Sequence, residues 1–284
     1  MRFDYLEATT IEEAISLLSK YDGRARTIAG GTDLLVQIRN KAIKPEYVID
    51  IGGIPGLDYI KYDDKQGLSI STLTTIRTLE KSAELQKRYP VIPQAASQLG
   101  STAIRNMATI GSNLCNASPS AETAPALIGL GARAKIVGPD GERIVPLEDF
   151  FTGPGQTVLK TGELLVEIQV PPPSPNTKGA YLKHSIRGSI DLAIVGVAAI
   201  LTMDGELCRE AKIVLGAVAP TPIRAKKAEA VLKGKKIDDA LIEQATREAS
   251  IDCCPISDVR ASAEYRTEMV RVFTRRDIKE AMAQ

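Results

Sequence analysis

The run Pro171-Pro172-Pro173-Ser174-Pro175 constrains the fold of this chain more than any other feature. Proline fixes φ and has no N–H to donate, so neither a helix nor a central strand can pass through the run. We interpret it as a rigid linker between two domains, residues 1–174 and 175–284. A loop at the edge of a sheet is the alternative.

Residues 1–174 alternate between helix and strand signals, and the turn-rich stretch 52–56 divides them into lobes of about 1–55 and 56–174. In the first lobe, Thr10 and Glu13 form a capping box in which Glu13 reaches back to the Thr10 amide. The pattern then predicts a β-α-β unit. The unit consists of strand 26–28, helix 34–39 and strand 47–51. The remaining predicted elements are strand 164–170, helices 76–87, 91–99 and 121–130, and hairpins 59–62/68–71 and 134–137/143–145.

Residues 175–284 read as strands followed by helices. The alternation predicts a three-stranded sheet with helices packed on it. We therefore expect the chain as a whole to have an α+β fold. The predicted strands are 180–185, 192–202 and 211–217, and the helices are 224–232, 238–250 and 262–283.

Two small-residue segments, residues 29–34 (AGGTDL) and 109–113 (TIGSN), are the main functional signal. Gly30 and Gly31 can adopt positive φ and leave consecutive amides free to face one concavity. Such a place suits a phosphate, particularly where a helix follows. We interpret both segments as turns that hold the two phosphates of a dinucleotide.

Composition excludes several functions. Lys plus Arg total 36 and Asp plus Glu total 35, and Trp is absent, so neither a basic surface nor a base-stacking surface for nucleic acid is expected. No stretch approaches the ~20 apolar residues of a membrane span. The acidic residues near the N-terminus interrupt any export signal, and we expect a cytoplasmic protein.

The cysteines and the single histidine do not form a metal or hydrolytic site. Cys115, Cys208, Cys253 and Cys254 lack Cys-x-x-Cys spacing, and His184 has no histidine partner. No serine–histidine–acid set exists. We therefore expect no metal and no catalytic side chain, and any chemistry comes from a bound organic cofactor.

Ordered motifs along nearly the full length make the chain resemble the FAD-binding medium subunit of the molybdenum hydroxylases, the aerobic carbon monoxide dehydrogenase and xanthine dehydrogenase family. The motifs are residues 3–5 (FDY), 28–34 (IAGGTDL), 104–113 (IRNMATIGSN), 116–122 (NASPSAE), 187–195 (RGSIDLAIV), 216–225 (GAVAPTPIRA) and 258–266 (DVRASAEYR). The resemblance implies a two-lobed FAD-binding domain of the vanillyl-alcohol oxidase type and a C-terminal domain. A Gly-x-Gly-x-x-Gly motif of the Rossmann type is absent.

The resemblance also implies which residues bind FAD. Residues 29–34 would hold the pyrophosphate, and residues 109–113 its other side and the ribityl chain. Leu165 would lie near the adenine, Lys183 and Asp191 near the flavin ring, and Leu192 at its access. Family members often have glycine where Ser112 stands and aspartate where Glu122 stands. The implied cofactor contacts are Ile28, Ala29, Gly30, Gly31, Thr32, Asp33, Leu34, Thr109, Gly111, Ser112, Asn113, Glu122, Leu165, Lys183, Asp191 and Leu192.

Several of these residues also have a purely structural interpretation. Thr32 can cap the following helix, and Asp33 suits its first turn without a ligand. Asn113 can satisfy its own backbone. Lys183 on a strand can be a solvated edge charge.

The implied function is electron transfer. A molybdopterin large subunit would oxidise the substrate, an iron–sulfur small subunit would pass electrons through two [2Fe–2S] clusters, and FAD here would deliver them to NAD, quinone or oxygen. The implied assembly is a dimer of heterotrimers. Two alternatives remain, a self-sufficient FAD-dependent NAD(P)H reductase and a flavin-free assembly module.

Overall fold

The computed structural model describes residues 2–188 and 190–284; Ser189, in one of the quoted motifs, lies outside them. The first lobe is a three-stranded parallel sheet with strand order β1-β3-β2. Its predicted β-α-β unit is confirmed, and β1 is an additional edge strand that its mostly exposed residues did not reveal. The elements are β1 Asp4–Glu7, α1 Ile11–Lys20, β2 Ala25–Ile28, α2 Leu34–Arg39 and β3 Tyr47–Asp50.

The start of α1 differs from the predicted capping box in one contact. Thr10 caps the helix by accepting a hydrogen bond from the Glu13 amide at 3.1 Å. The Glu13 carboxylate, however, accepts from the amide and hydroxyl of Thr9, each at 2.8 Å, and not from the Thr10 amide. The cap is therefore extended one residue toward the N-terminus.

The second lobe contains an antiparallel five-stranded sheet with the order β4-β5-β10-β6-β7. Both predicted hairpins and the last strand are confirmed. The predicted helix 76–87 is two helices, because Ser82 caps the second through the Leu85 amide. The elements are β4 Ile60–Asp63, β5 Gly67–Ser71, α3 Ile76–Lys81, α4 Ala83–Arg88, α5 Val91–Ser97, α6 Thr102–Met107, α7 Ile110–Cys115, α8 Thr123–Gly129, β6 Arg133–Gly138, β7 Gly141–Pro146, β8 Phe151–Gly153, β9 Gln156–Thr157 and β10 Leu164–Val170.

The three long strands predicted after the proline run pair as an antiparallel sheet, and two-residue strands extend it. The middle strand begins at Val195 rather than at residue 192, which leaves a loop before it. The proline run itself forms no helix or strand. The elements are β11 Thr177–His184, β12 Val195–Asp204, β13 Leu207–Gly216, β14 Ile223–Arg224, α9 Lys226–Leu232, β15 Lys235–Lys236, α10 Asp239–Asp252 and α11 Ala263–Ala283.

This third sheet is covered on both faces. Tyr181, Ala198 and Val214 pack into the core that contains α5 and α8 of the second lobe. Alternate residues such as Ala180 and Val197 face α9, α10 and α11. The strand period of two therefore joins β11 to the second lobe on one side and to the C-terminal helices on the other. In the described residues, no helix is both long and apolar enough to cross a bilayer.

Asp277 on α11 is buried beneath this sheet, and both oxygens of its carboxylate lack a hydrogen-bond partner among the described residues. Burial raises its pKa, although the Leu182 amide lies close enough to oppose part of the rise. A raised folded-state pKa stabilises the fold fully below the unfolded pKa of ~3.9 and loses that stability as pH rises through the folded value. We expect Asp277→Asn to raise the free energy of unfolding at pH 8 by about 1–3 kcal/mol.

The measurement is urea denaturation at pH 8 and pH 5. The gain should shrink at pH 5, because the free-energy cost of keeping a proton on buried Asp277 falls as the pH approaches the unfolded pKa. The matched control is Asp204→Asn in the exposed β12–β13 turn, which should have little effect at either pH. Equal stability of Asp277→Asn and the wild-type chain at pH 8 contradicts the prediction.

Candidate functional site

Two cavities form one cleft along the predicted site. One, of about 460 Å³, includes Leu165 in its wall, and the other, of about 370 Å³, includes Leu192; we call them the Leu165 cavity and the Leu192 cavity. Asp33, Ser112 and Asn116 belong to both walls. The cleft therefore runs past both predicted glycine segments.

The first glycine segment has the predicted form. β2 ends at Ile28, Gly31 adopts φ +70°, and α2 begins at Leu34. The backbone amides of residues 30–33 donate no hydrogen bond to any acceptor among the described residues. Consecutive free amides before a helix form a concavity suited to an anion.

Gly30 is also required by a close backbone approach. A Cβ at this position would lie 1.9 Å from the carbonyl oxygen of Met107 and 3.2 Å from Cα of Ala108. The turn therefore packs directly against the chain that leads into α7. Nearby, Gln37 donates a side-chain hydrogen bond of 2.9 Å to Asn116. These contacts place the two predicted segments side by side.

The prediction that residues 109–113 form a second turn with free amides is wrong. Thr109 is the N-cap of α7, in a capping box with Ser112. The amides of Ile110 and Gly111 donate to the carbonyls of Thr74 and Thr72, and the Ser112 amide donates to the Thr109 hydroxyl. A Cβ on Gly111 would lie 1.8 Å from Thr72 Oγ1, so this glycine permits packing. The Thr-x-x-Ser spacing was a signal for this cap.

The side chains of the second segment still reach the cleft. Thr109 and Gly111 belong to the wall of the Leu165 cavity, Asn113 to that of the Leu192 cavity, and Ser112 to both. Asn113 accepts a hydrogen bond from the hydroxyl of Thr123, which leaves its amide group as a donor. This segment therefore offers a side-chain donor on Asn113, whereas the first segment offers backbone donors.

The interpretation of Thr32 as the cap of α2 is wrong. Asp33, and not Thr32, occupies the N-cap position, and its side chain makes no cap hydrogen bond. Thr32 and Asp33 belong to the wall of the Leu192 cavity, while Ala29 and Leu34 belong to that of the Leu165 cavity. The turn thus spans both cavities.

Lys183 and Glu122 form a buried ion pair beside the Leu192 cavity. The Lys183 Nζ donates to Glu122 Oε1 at 2.8 Å, to the Gln98 carbonyl at 3.0 Å and to the Asp191 carbonyl at 2.6 Å. The two side chains are only 2% and 8% exposed. Burial raises the pKa of Glu122, and the ammonium of Lys183 opposes the rise. The interpretation of Lys183 as a solvated edge charge is therefore wrong.

Asp191 organises its own loop. Its carboxylate accepts hydrogen bonds from the amides of Arg187 and Leu192, at 3.1 and 3.0 Å. The Arg187 amide is the main cause that lowers the pKa of Asp191. Leu192 lines the Leu192 cavity, and its side chain is exposed.

Four of the predicted residues are not wall residues of either cavity: Ile28, Gly30, Gly31 and Lys183. Gly30 and Gly31 lie between wall residues of the two cavities, and Lys183 lies behind Glu122. The remaining predicted residues all line the cleft.

Comparisons with known protein families agree with this arrangement. Residues 1–173 match the model for the FAD binding domain in molybdopterin dehydrogenase, and residues 180–281 match the CO dehydrogenase flavoprotein C-terminal domain. The chain belongs to the FAD-binding medium subunits of the molybdenum hydroxylases.

Individual relatives of this medium subunit are similar over almost their whole length. The xanthine dehydrogenase FAD-binding subunit of Escherichia coli O157:H7 is 33% identical, over 98% of this chain and 96% of the relative. The carbon monoxide dehydrogenase medium chain of Afipia carboxidovorans is 35% identical, over 99% and 97%. Reconstituted CO dehydrogenase from Oligotropha carboxidovorans superimposes with a TM-score of 0.96 at 35% identity, covering 100% and 98% of the two chains.

The expectations from the resemblance are confirmed for the family, the α+β fold, the oxidoreductase class and the cofactor, FAD. The residues present fit this cofactor. Free amides at residues 30–33 suit its diphosphate, and they lie where two cavities meet. No cluster of metal-ligating side chains occurs in residues 2–188 and 190–284.

Sequence reasoning did not single out several wall residues of this medium subunit. Arg260 and Asn116 stood in quoted motifs without an assigned role, and the membership of a motif was their only signal. Arg187 stood in the loop motif in the same way. The wall residues of the Leu192 cavity that were not predicted are Leu99, Gly100, Ile104, Ala108, Asn116, Ser118, Ser120, Ala121, Arg187, Ile190 and Arg260.

Proposed function

We propose that this medium subunit carries FAD in the cleft and passes electrons from the [2Fe–2S] clusters of a small subunit to an external acceptor. A molybdopterin large subunit would oxidise the substrate. Support comes from relatives that are themselves named medium chains and that this chain matches nearly end to end. NAD, quinone and oxygen are the candidate acceptors.

The observation that carries the proposal is the position of the free amides of residues 30–33, beside the junction of the two cavities. These amides would hold the FAD diphosphate, because consecutive N–H groups and a helix start favour an anion. The hydroxyl of Thr32 adds a donor on the same side. The diphosphate would then divide the cofactor between the two cavities.

The other predicted residues would hold the two ends. Leu165 contributes an apolar wall for the adenine end of the cleft. Asn113 offers a side-chain donor near the diphosphate and ribityl chain, while the Ser112 hydroxyl donates to the Thr109 carbonyl and shapes the wall beside it. Glu122, kept in place by Lys183, faces the flavin end. Thr109 and Gly111 act indirectly, because the cap and the Thr72 contact position α7.

FAD, when bound, supplies a carrier that exchanges both pairs of electrons and single electrons. The chain contributes binding, orientation and local charge. The buried ion pair keeps a carboxylate at the flavin end in one position, and the loop held by Asp191 places Leu192 at the entrance. None of these contributions of the chain requires a side chain to act as a general acid or base.

The proposal also covers the domain boundaries of this chain and its assembly with partner subunits. Residues 1–174 would form the FAD-binding domain, with lobes of about 1–55 and 56–174, and residues 175–284 the C-terminal domain. The medium subunit would join the iron–sulfur and molybdopterin subunits in a cytoplasmic dimer of heterotrimers. Mass photometry of the complex isolated from its native host measures this stoichiometry.

A substrate-independent experiment tests the electron path. The purified three-subunit complex is depleted of FAD, its clusters are reduced with dithionite, and excess reductant is removed under anaerobic conditions. We expect cluster reoxidation by NAD or a quinone, followed by absorbance, to be at least about tenfold slower without FAD and to recover when FAD returns. Equal reoxidation rates with and without FAD contradict the proposal.

The isolated chain distinguishes the two alternative functions. A self-sufficient reductase would oxidise NADPH over many turnovers once loaded with FAD, without any partner. A flavin-free assembly module would stay colourless after incubation with FAD. We expect a yellow chain with a stoichiometric flavin and no sustained NADPH oxidation.

A further inference from the structure

The C-terminal motif of residues 258–266 contains a buried arginine, Arg266, that connects segments leading to the wall of the Leu192 cavity. Arg266 on α11 is only 3% exposed. Its Nη1 donates to the carbonyls of Ile194 at 2.8 Å and Ala217 at 3.3 Å, and its Nη2 donates to Asp258 Oδ1 at 2.8 Å. One side chain thus holds three separate segments.

Each of these segments leads to a different part of the cavity wall. Ile194 closes the loop that carries Asp191 and Leu192. The amide of Ala217 donates to the Pro119 carbonyl at 2.7 Å, within the stretch of chain that ends at Glu122. The third segment, at Asp258, leads to Arg260.

Asp258 holds Arg260 in the wall. Its Oδ1 accepts from the Arg260 amide at 2.9 Å, and its Oδ2 accepts from the Arg260 Nη1 at 2.8 Å. The hydrogen bond from the Arg260 backbone amide is the main cause that lowers the pKa of Asp258 to about 2. The carboxylate is therefore ionised at every pH at which the protein is ordinarily handled.

The charges around the cavity leave a role for Arg260. Asp33, Glu122 and Asp191 place three carboxyl groups in the wall. The Arg187 side chain is 69% exposed and forms an ion pair with Asp191, and Lys183 forms an ion pair with Glu122. The Arg260 side chain, 35% exposed, keeps Nε and Nη2 free of hydrogen bonds to the described residues. These donors suit an electron-rich group.

We propose that Arg260 contacts the bound FAD in the Leu192 cavity and that Arg266, acting through Asp258, is the residue that positions it. This inference rests on the proposed function and adds a cofactor contact from the C-terminal part of the chain. A flavin gains negative charge when it is reduced at neutral pH. A guanidinium in the wall therefore binds reduced FAD more tightly than oxidised FAD, and so raises the midpoint potential.

The test compares Arg260→Gln with Arg209→Gln in the full-length chain. Arg209 lies on β13, is exposed and has no side-chain partner among the described residues, so its loss is the matched control. We expect Arg260→Gln to weaken FAD binding about tenfold, measured by quenching of flavin fluorescence, and to lower the midpoint potential. Each tenfold change in the preference for reduced over oxidised FAD shifts a two-electron potential by about 30 mV.

Asp258→Asn and Arg260→Lys test the positioning part. Asp258→Asn should lower the potential in the same direction as Arg260→Gln, because Arg260 loses its anchor. Arg260→Lys should restore part of the potential, because the charge remains. Thermal denaturation identifies any variant that loses the fold. If either Asp258→Asn or Arg260→Gln does not fold, the midpoint potential of the other variant decides the inference.

The outcomes separate this inference from the proposed function. A wild-type chain that does not bind FAD rejects the proposed function. A wild-type chain that binds FAD, together with a folded Arg260→Gln variant of unchanged affinity and potential, rejects only the role of Arg260. Lower affinity and lower potential in Arg260→Gln, with Arg209→Gln unchanged, supports it.

Discussion

Gly30→Ala should reduce the affinity for FAD at least tenfold and destabilise the fold. The new Cβ would lie 1.9 Å from the carbonyl oxygen of Met107 and 2.7 Å from its carbonyl carbon. Both are backbone atoms, so no side-chain rotation relieves the contact. The turn and the chain before α7 must move apart, at a cost of about 1–3 kcal/mol for overpacking. The free amides of residues 30–33 then lose their arrangement.

The measurements are thermal denaturation of the chain without FAD and a fluorescence titration with FAD. Gly53→Ala is the matched control, because a Cβ at Gly53 meets no heavy atom within 4 Å and the residue does not have a positive φ. We expect this control to match the wild-type chain in both measurements. Wild-type stability and affinity in Gly30→Ala would show that the turn does not depend on contact with Met107.

Lys183→Met should destabilise the chain by about 3–5 kcal/mol at neutral pH, the cost of breaking a buried ion pair by removing one partner. Glu122 would remain buried without its cation. The loop would also lose its bond from Lys183 to the Asp191 carbonyl. Urea denaturation measures the change, and Lys87→Met on the exposed face of α4 is the control.

The effect of Lys183→Met should depend on pH in a defined direction. Burial already raises the pKa of Glu122, and Lys183 opposes the rise, so removing Lys183 raises the pKa further. Stability is then fully present below the unfolded glutamate pKa of ~4.3 and is lost as pH rises through the folded value. The deficit should therefore be smaller at pH 5 than at pH 8.

A double variant separates the ion pair from simple packing. Glu122→Gln added to Lys183→Met removes the buried charge, and we expect it to recover more than half of the lost stability at pH 8. The coupling energy follows from the four variants of the cycle. A deficit that is independent of pH and unchanged in the double variant would assign the cost to packing instead.

Local sequence signals predicted most of the secondary structure. The strand at Leu164–Val170 and the helix at Leu34–Arg39 have the bounds expected from their patterns, because apolar period and cap residues act over a few positions. The strand at Asp4–Glu7 was missed because most of its residues are exposed. The helix Thr102–Met107 was missed because its one buried residue is the charged Arg105, so no apolar face marks it in the sequence.

The glycine segments show where local reasoning reaches its limit. Both contain glycine before or within a helix start, and both were read as places where the backbone is free for a ligand. Only residues 30–33 keep free amides. At Gly111 the absence of a side chain permits contact with Thr72, which lies 39 positions earlier in the chain. No local pattern distinguishes a glycine that serves a ligand from one that serves packing.

The sequence by itself determined the family, the FAD cofactor, the order of most elements and a minority of the residues that line the cleft. Only the tertiary structure decided the chemical state of the site. Glu122 and Lys183 are 61 positions apart, and Arg260 and Asp33 lie in different parts of the chain, yet they meet around one cavity. Burial, pairing and charge balance depend on which segments pack together, and those long-range contacts leave no periodic trace in the sequence.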